Sequence, residues 1–344
     1  MPRTYNKKWF CIFLGLVVLS CSHGYNSNNI YENRLEDYRK AIDEDSKAIT
    51  QDPNNEKAYR NRGRQYLALG EYNRAIDDFS KLVSLKKAID KDYSNRARAY
   101  AKIGDYQKAI EDYSRYLQLN PLDALIFGCR GDMFLRIKKY NEAIEDLTQA
   151  IKLKIKDYDV FFKRGLAFKN IGDFKKAIED FSQAIQLSPT YNNRIPVEVS
   201  LSFNFYKIYL ARGIVYDRLG NYKKAIEDFN ALLNISLEDA CVYNTIAWFL
   251  ATCPDQAYRN GARAIEMAQK AIALESNAAN MDTLAAAYAE MGMFEEAVKT
   301  QKKAIDLLKL ENNLKKFPQY NNRLNNYLSH KPYWDLNLTE PDGE

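Results

Sequence analysis

YNRAIDDFSKLVSL (72–85), YQKAIEDYSRYLQL (106–119), YNEAIEDLTQAIKL (140–153), FKKAIEDFSQAIQL (174–187) and YKKAIEDFNALLNI (222–235) are variations on a single segment. The first four begin 34 residues apart, and the fifth is displaced by 14 more. A fixed period of this length marks a stack of helical hairpins, because one hairpin cannot bury its apolar face alone.

Each segment is preceded by a second helical pattern. Units counted from 56, 90, 124, 158, 206, 240 and 278 bring all seven into register. Unit position 4 is aromatic in six of them: Tyr59, Tyr93, Phe127, Phe161, Tyr209 and Tyr243, with Met281 in the last. Position 8 is small throughout (Gly63, Ala97, Gly131, Gly165, Gly213, Ala247, Ala285), and position 20 is always alanine. Positions 4, 8 and 11 share one face of a helix A. Glycine at position 15, as in Gly70, Gly104, Gly172, Gly220 and Gly292, ends that helix in a left-handed cap. A helix B follows with Ala at 20 and an aromatic at 24. The small residues let the two helices approach closely, and the large ones fill the space between hairpins.

This pattern resembles the tetratricopeptide repeat (TPR) family over about 250 residues. The resemblance implies an all-α fold, a right-handed superhelical solenoid of antiparallel helix pairs. The expected organisation is units one to four over 56–191, an insertion at 192–205, units five to seven over 206–309, and a capping helix with tail over 310–344. Residues 34–55 read as an N-terminal capping helix or half repeat. In the insertion, Ile195, Val197, Val199, Leu201, Phe203 and Phe205 alternate like a strand, or Pro196 opens a lengthened helix A.

The repeats also serve as their own comparison. Position 7 is arginine in five units and position 23 aspartate in the same five. The pairs are Arg62 with Asp78, Arg96 with Asp112, Arg130 with Asp146, Arg164 with Asp180, and Arg212 with Asp228. In the last two units the positions hold Ile246 with Met267 and Leu284 with Thr300, so both charges are lost together. A guanidinium fits a carboxylate in a two-pronged geometry, so each pair is expected to tie helix A to helix B within its unit.

The family resemblance places unit positions 2, 5, 9, 12 and 13 on a concave surface. Carried over, with the clamp position of Asn95, they give a partner groove of Lys57, Arg60, Arg64, Lys91, Asn95, Arg98, Lys102 and Arg136, with Asp132 among them. The later units add Lys207, Asp217, Arg218, Asn244, Trp248, Asp282 and Glu290, so the groove is expected to turn from basic to acidic. A basic strip suits an acidic segment or a C-terminal carboxylate. The family's full carboxylate clamp is not reproduced, since Leu125 and Cys129 stand at its Lys and Arg positions. The stretches 244–274 and 282–305 and the tail RLNNYLSHKPYWD (323–335) resemble a C-terminal module of bacterial repeat proteins, which implies no activity.

The N-terminus reads as an export signal. Arg3, Lys7 and Lys8 precede the apolar run WFCIFLGLVVL (9–19), too short for a permanent span of roughly 20 residues. Val18-Leu19-Ser20-Cys21 resembles the lipobox of bacterial lipoproteins, which implies a signal peptide over 1–20, acylation of Cys21 and anchoring to a lipid bilayer. The expected location is the cell envelope, the outer membrane facing the periplasm in a Gram-negative source. Cleavage without acylation, giving a secreted or periplasmic protein, is the alternative. Residues 21–33, polar and Asn-rich, read as a tether.

Composition excludes much. The net charge of +5 comes from 50 basic and 45 acidic residues; without the signal's three cations it is +2, which gives no general case for nucleic acid. Two histidines, at 23 and 330, and the lack of phosphate-loop, dinucleotide or metal-ligand spacings leave no catalytic constellation, metal site, cofactor or small-molecule substrate expected. Cys129, Cys241 and Cys253 are expected as reduced, mostly buried thiols; twelve helical residues, about 18 Å, separate the last two. The function expected is a non-enzymatic scaffold or adaptor that binds protein or peptide partners. The alternatives are a self-associating scaffold, or an accessory or glycan-binding component of an envelope enzyme complex with a shallow site around Trp248.

Overall fold

The structure, a computed structural model, describes residues 27–187, 206–233, 238–311 and 314–335. The signal, Cys21 and the 192–205 insertion lie outside the described residues. Among those described the chain is all helical, a solenoid of antiparallel helix pairs. It separates into two compact units, residues 1–87 and 88–344.

The first unit holds α1 (Ser27–Gln51), α2 (Glu56–Leu69) and α3 (Tyr72–Ser84), packed in that order. Helix α1 starts at Ser27, so residues 27–33, expected in the tether, are helical. Their polar, Asn-rich sequence has no apolar period that would signal a helix. Asn55 caps α2, its side chain accepting from the Ala58 N–H at 3.0 Å. Gly70 ends α2 at φ 77° and turns the chain into α3.

The second unit holds six helix pairs and a cap. The pairs are α4 (Asp90–Lys102) with α5 (Tyr106–Leu119), α6 (Ala124–Arg136) with α7 (Tyr140–Lys152), and α8 (Tyr158–Asn170) with α9 (Phe174–Leu187). Then come α10 (Tyr206–Arg218) with α11 (Tyr222–Leu233), α12 (Ala240–Thr252) with α13 (Gly261–Leu274), and α14 (Ala278–Glu290) with α15 (Phe294–Leu310). Helix α16 (Phe317–Leu328) closes the array. An aspartate or asparagine before helix A caps it in several units, as Asp157 does for α8 and Asp239 for α12.

Close approach within a pair explains the small residue at position 8. A Cβ on Gly165 would lie 2.6 Å from the Phe181 ring and 3.3 Å from the Ala177 carbonyl oxygen. Phe181 is fully buried between α8 and α9, a contribution of roughly 2–3 kcal/mol.

Candidate functional site

The five Arg–Asp pairs have one geometry. Arg62 donates from Nε and Nη2 to the two carboxylate oxygens of Asp78, at 2.9 and 2.7 Å. Arg96 with Asp112, Arg130 with Asp146, Arg164 with Asp180 and Arg212 with Asp228 repeat it within 2.7–2.9 Å. Four of the guanidiniums lie against the rings at both positions 4 and 11, as Arg164 does over Phe161 at 5.9 Å and Phe168 at 5.7 Å, and Arg96 lies over Tyr100 at position 11. The third arm reaches the preceding helix B. Arg62 Nη1 donates to Ser46 Oγ at 3.0 Å, Arg130 to Ser114 at 2.9 Å, Arg164 to Thr148 at 3.1 Å and Arg212 to Ser182 at 3.0 Å. One arginine therefore joins its own hairpin to the one before it. The sequence carried this signal in the hydroxyl at position 25, two residues after the aspartate in the first four units (Ser80, Ser114, Thr148, Ser182) and replaced by Asn230 in the fifth.

Burial and pairing oppose each other here. Burial pushes the Asp78 carboxyl up, and the hydrogen bonds from Arg62 pull it down. On Asp78 burial is the larger effect, while on Arg62 the hydrogen bond to Asp78 outweighs burial and raises the guanidinium. The gain from pairing and the cost of burial therefore oppose each other, and the geometry points to setting register between hairpins.

The concave positions of the first unit are cationic. Lys57 and Arg64 are exposed on α2, and Arg60 is half-buried, its Nη2 donating to the Lys87 carbonyl at 3.1 Å. In the second unit, Lys91, Arg98 and Lys102 are exposed, and Asn95 half-buried, along one face of α4. Arg136 lies 3.4 Å from Asp132 and over the Tyr106 ring. Asp132 also holds Lys163 at 3.1 Å, and Lys163 holds Asp159 at 2.6 Å. Lys91, Arg98 and Lys102 have no ion pair among the described residues, so α4 presents three uncompensated charges.

The other end of the expected groove is not open. The chain's own C-terminus covers it. Asp282 is buried on α14 and takes Arg323 of α16 on both oxygens, at 2.8 and 2.7 Å, with Gln301 Nε2 at 2.7 Å. Trp248 packs against Tyr333, centroids 5.9 Å apart, and Arg323 lies over both rings. Trp248 Nε1 donates to Asp335 Oδ2 at 3.3 Å, and the Asp335 N–H donates to the Thr252 carbonyl at 2.9 Å. Glu290 accepts from Arg259 Nε at 2.8 Å and Trp334 Nε1 at 3.1 Å, with Arg259 4.7 Å over the Trp334 ring. The acidic end is therefore a self-occupied seat, and the shallow glycan site expected at Trp248 is filled by Tyr333. The long 251–261 loop supplies Arg259, held by the Cys253 and Pro254 carbonyls at 2.9 and 3.1 Å. Lys207 is exposed, and Arg218 and Asn244 are half-buried.

The thiol expectation needs correction. Cys253 is buried, but Cys129 and Cys241 are exposed; none of the three forms a disulfide among the described residues. Among the described residues no cluster of His, Cys, Asp and Glu could hold a metal ion.

Comparison with known proteins agrees with this architecture. Tetratricopeptide repeat models match residues 46–77, 91–122, 158–191, 206–239 and 280–307, and a TPR repeat model matches 131–172. Together they cover more than half of the chain, which belongs to the tetratricopeptide repeat family. No curated protein sequence matches it. Among solved structures, the Cut9–Hcn1 hetero-tetramer of the APC/C is similar at TM-score 0.52 and 21% identity, over 73% of this chain and 46% of that one. MamA (41-end) from Desulfovibrio magneticus RS-1 is similar at TM-score 0.46 and 23% identity, over 52% of this chain and 94% of that one. A further MamA crystal structure gives 0.43 and 25%, over 46% and 92%. The likeness to Cut9–Hcn1 is one of fold.

Proposed function

We propose that this TPR protein is a non-enzymatic adaptor, anchored at a bacterial cell envelope through acylated Cys21, whose basic concave strip takes an acidic protein segment. The repeat architecture supports the general role, a protein–protein interaction scaffold. The observation that carries the finer reading is the row Lys91, Arg98 and Lys102 on α4, exposed and without ion pairs among the described residues. Elsewhere on the helix A faces, Arg136 and Lys163 are neutralised by Asp132 and Asp159. Uncompensated surface charge steers an oppositely charged partner, and it does so less at high salt. Anchoring rests on the lipobox-like VLSC at 18–21. No helix among the described residues is long and apolar enough to cross a membrane.

Cross-linking in the native membrane, with Arg98→Glu/Lys102→Glu as control, tests the strip. Loss of the captured partner in the variant supports it; the same partners in both reject it. Detergent phase partition tests the anchor, since Cys21→Ser should move the protein to the aqueous phase. Wild type found there would remove the anchor.

A further inference from the structure

The C-terminus has two parts of different character. Helix α16 is core: Tyr327 is fully buried and Arg323 is locked on Asp282. It ends with His330 in the left-handed region (φ 54°), and the Lys331 N–H returns to the Asn326 carbonyl at 2.9 Å. This closure sends Lys331–Asp335 back over α12 and α14.

That last segment is placed as a ligand is placed. Lys331 is exposed, and Trp334 keeps 41% of its surface open although two partners hold it. Each residue meets a separate seat. Tyr333 takes the Trp248–Arg323 surface, Trp334 the Arg259–Glu290 pair, and Asp335 the Trp248 N–H and the Thr252 carbonyl. These seats use the concave positions 9 and 13 of units six and seven. Among the described residues one backbone hydrogen bond joins the segment to the seat, from the Asp335 N–H to the Thr252 carbonyl. Like charge also works against it: burial first, and then the Asp335 charge, push the Asp217 carboxyl of α10 up.

We infer that the concave face around Trp248, Thr252 and Glu290 is a peptide-binding site for an extended segment bearing two adjacent aromatics followed by a carboxylate. Residues 331–335 are its resident and displaceable occupant. The partner is a protein segment of that chemistry. This site is separate from the basic strip on α4 and does not rest on it.

The test uses the full chain and a labelled peptide copying residues 330–337, HKPYWDLN. Tyr333→Ala/Trp334→Ala empties the seat and leaves α16 intact. It should bind the peptide at least tenfold more tightly than wild type by fluorescence anisotropy. Adding Trp248→Ala should abolish that gain. Trp334→Phe, which keeps the ring over Arg259 and removes only the N–H to Glu290, should give an intermediate rise. Peptide affinity within twofold in wild type and the emptied chain would overturn the proposal. So would a melting temperature for Tyr333→Ala/Trp334→Ala as low as that of Tyr327→Ala, which would make the segment part of the core. A concentration-dependent dimer that disappears in the emptied chain would also overturn it, by placing the tail in a second copy.

Discussion

Arg164 gives two of its nitrogens to the two carboxylate oxygens of Asp180, at 2.8 and 2.7 Å, and the third to Thr148 of the preceding hairpin at 3.1 Å. One side chain thereby fixes both the angle within a hairpin and its register on the next. Arg164→Ala leaves Asp180 buried without its cation and should cost about 2–4 kcal/mol. Arg164→Met/Asp180→Leu removes both charges with little loss of volume, and should lie within about 1 kcal/mol of wild type. Chemical denaturation of the three chains checks this. Additive effects of the single and double changes would mean the pair is not coupled.

The last unit shows what the fold does without that arginine. Leu284 and Thr300 stand at positions 7 and 23, and a cleft of about 430 Å³ opens there, lined also by Met281, Tyr288 and Gln269. In the first five units the guanidinium and its aromatic neighbours occupy the equivalent place. Leu284→Arg alone should destabilise by about 1–3 kcal/mol, as should Thr300→Asp alone, because each buries an unpaired charge. The double variant should recover at least about 1 kcal/mol of that. Thermal melts of the four chains decide it, and no recovery would mean the cleft lacks room for the pair.

How much of this was legible in the sequence follows from what repeats. The Arg–Asp pairs were legible because five copies keep them and two copies lose both at once. The Ser or Thr of position 25 repeats just as plainly, yet its partner lies in the next unit, where a reading confined to one unit does not look. The tail seat was not legible. KPYWD (331–335) has no periodicity, occurs once, and meets residues 44 to 87 positions away. Trp248, Asp282 and Glu290 were assigned to the concave face from their register, and covering by the chain's own end left that register unchanged. The exposure of Cys129 and Cys241 was missed because cysteine is usually buried.

Lys138 occupies unit position 15, where five other units have glycine, and it adopts the same left-handed conformation at φ 60°. A Cβ costs free energy there, and glycine avoids the cost at some expense in the unfolded chain. Lys138→Gly should therefore stabilise the protein by about 0.5–1 kcal/mol. Equilibrium denaturation measures it, with Gly172→Lys as the reverse change, expected to destabilise by about 1 kcal/mol. The same sign for the two changes would remove backbone strain as the explanation.

The tail seat makes stability depend on pH, with a sign that can be worked out. Burial, with the Asp335 charge adding to it, pushes the Asp217 carboxyl up to about 7, while Arg218 pulls weakly the other way. In the unfolded chain the same group titrates near the ordinary 3.8. A carboxyl whose pKa is higher in the native state holds its proton there and releases it on unfolding. The contribution of Asp217 to stability is therefore greatest below about pH 4, falls as pH rises toward 7, and is flat above. The loss is on the order of 2 kcal/mol once solvent screening at this half-buried group is allowed for. Tyr222, whose own pKa burial raises, and Cys253, pushed up to about 11, share this surroundings but stay neutral in that range. Asp217→Asn should remove the slope between pH 4 and 7 and be the more stable chain at pH 8. Asp335→Asn should keep part of it, because burial is the larger cause. Melting temperatures of the three chains at pH 5 and pH 8 test this. A wild type equally stable at both, or an Asp217→Asn chain with the wild-type slope, would mean that another group controls the pH response.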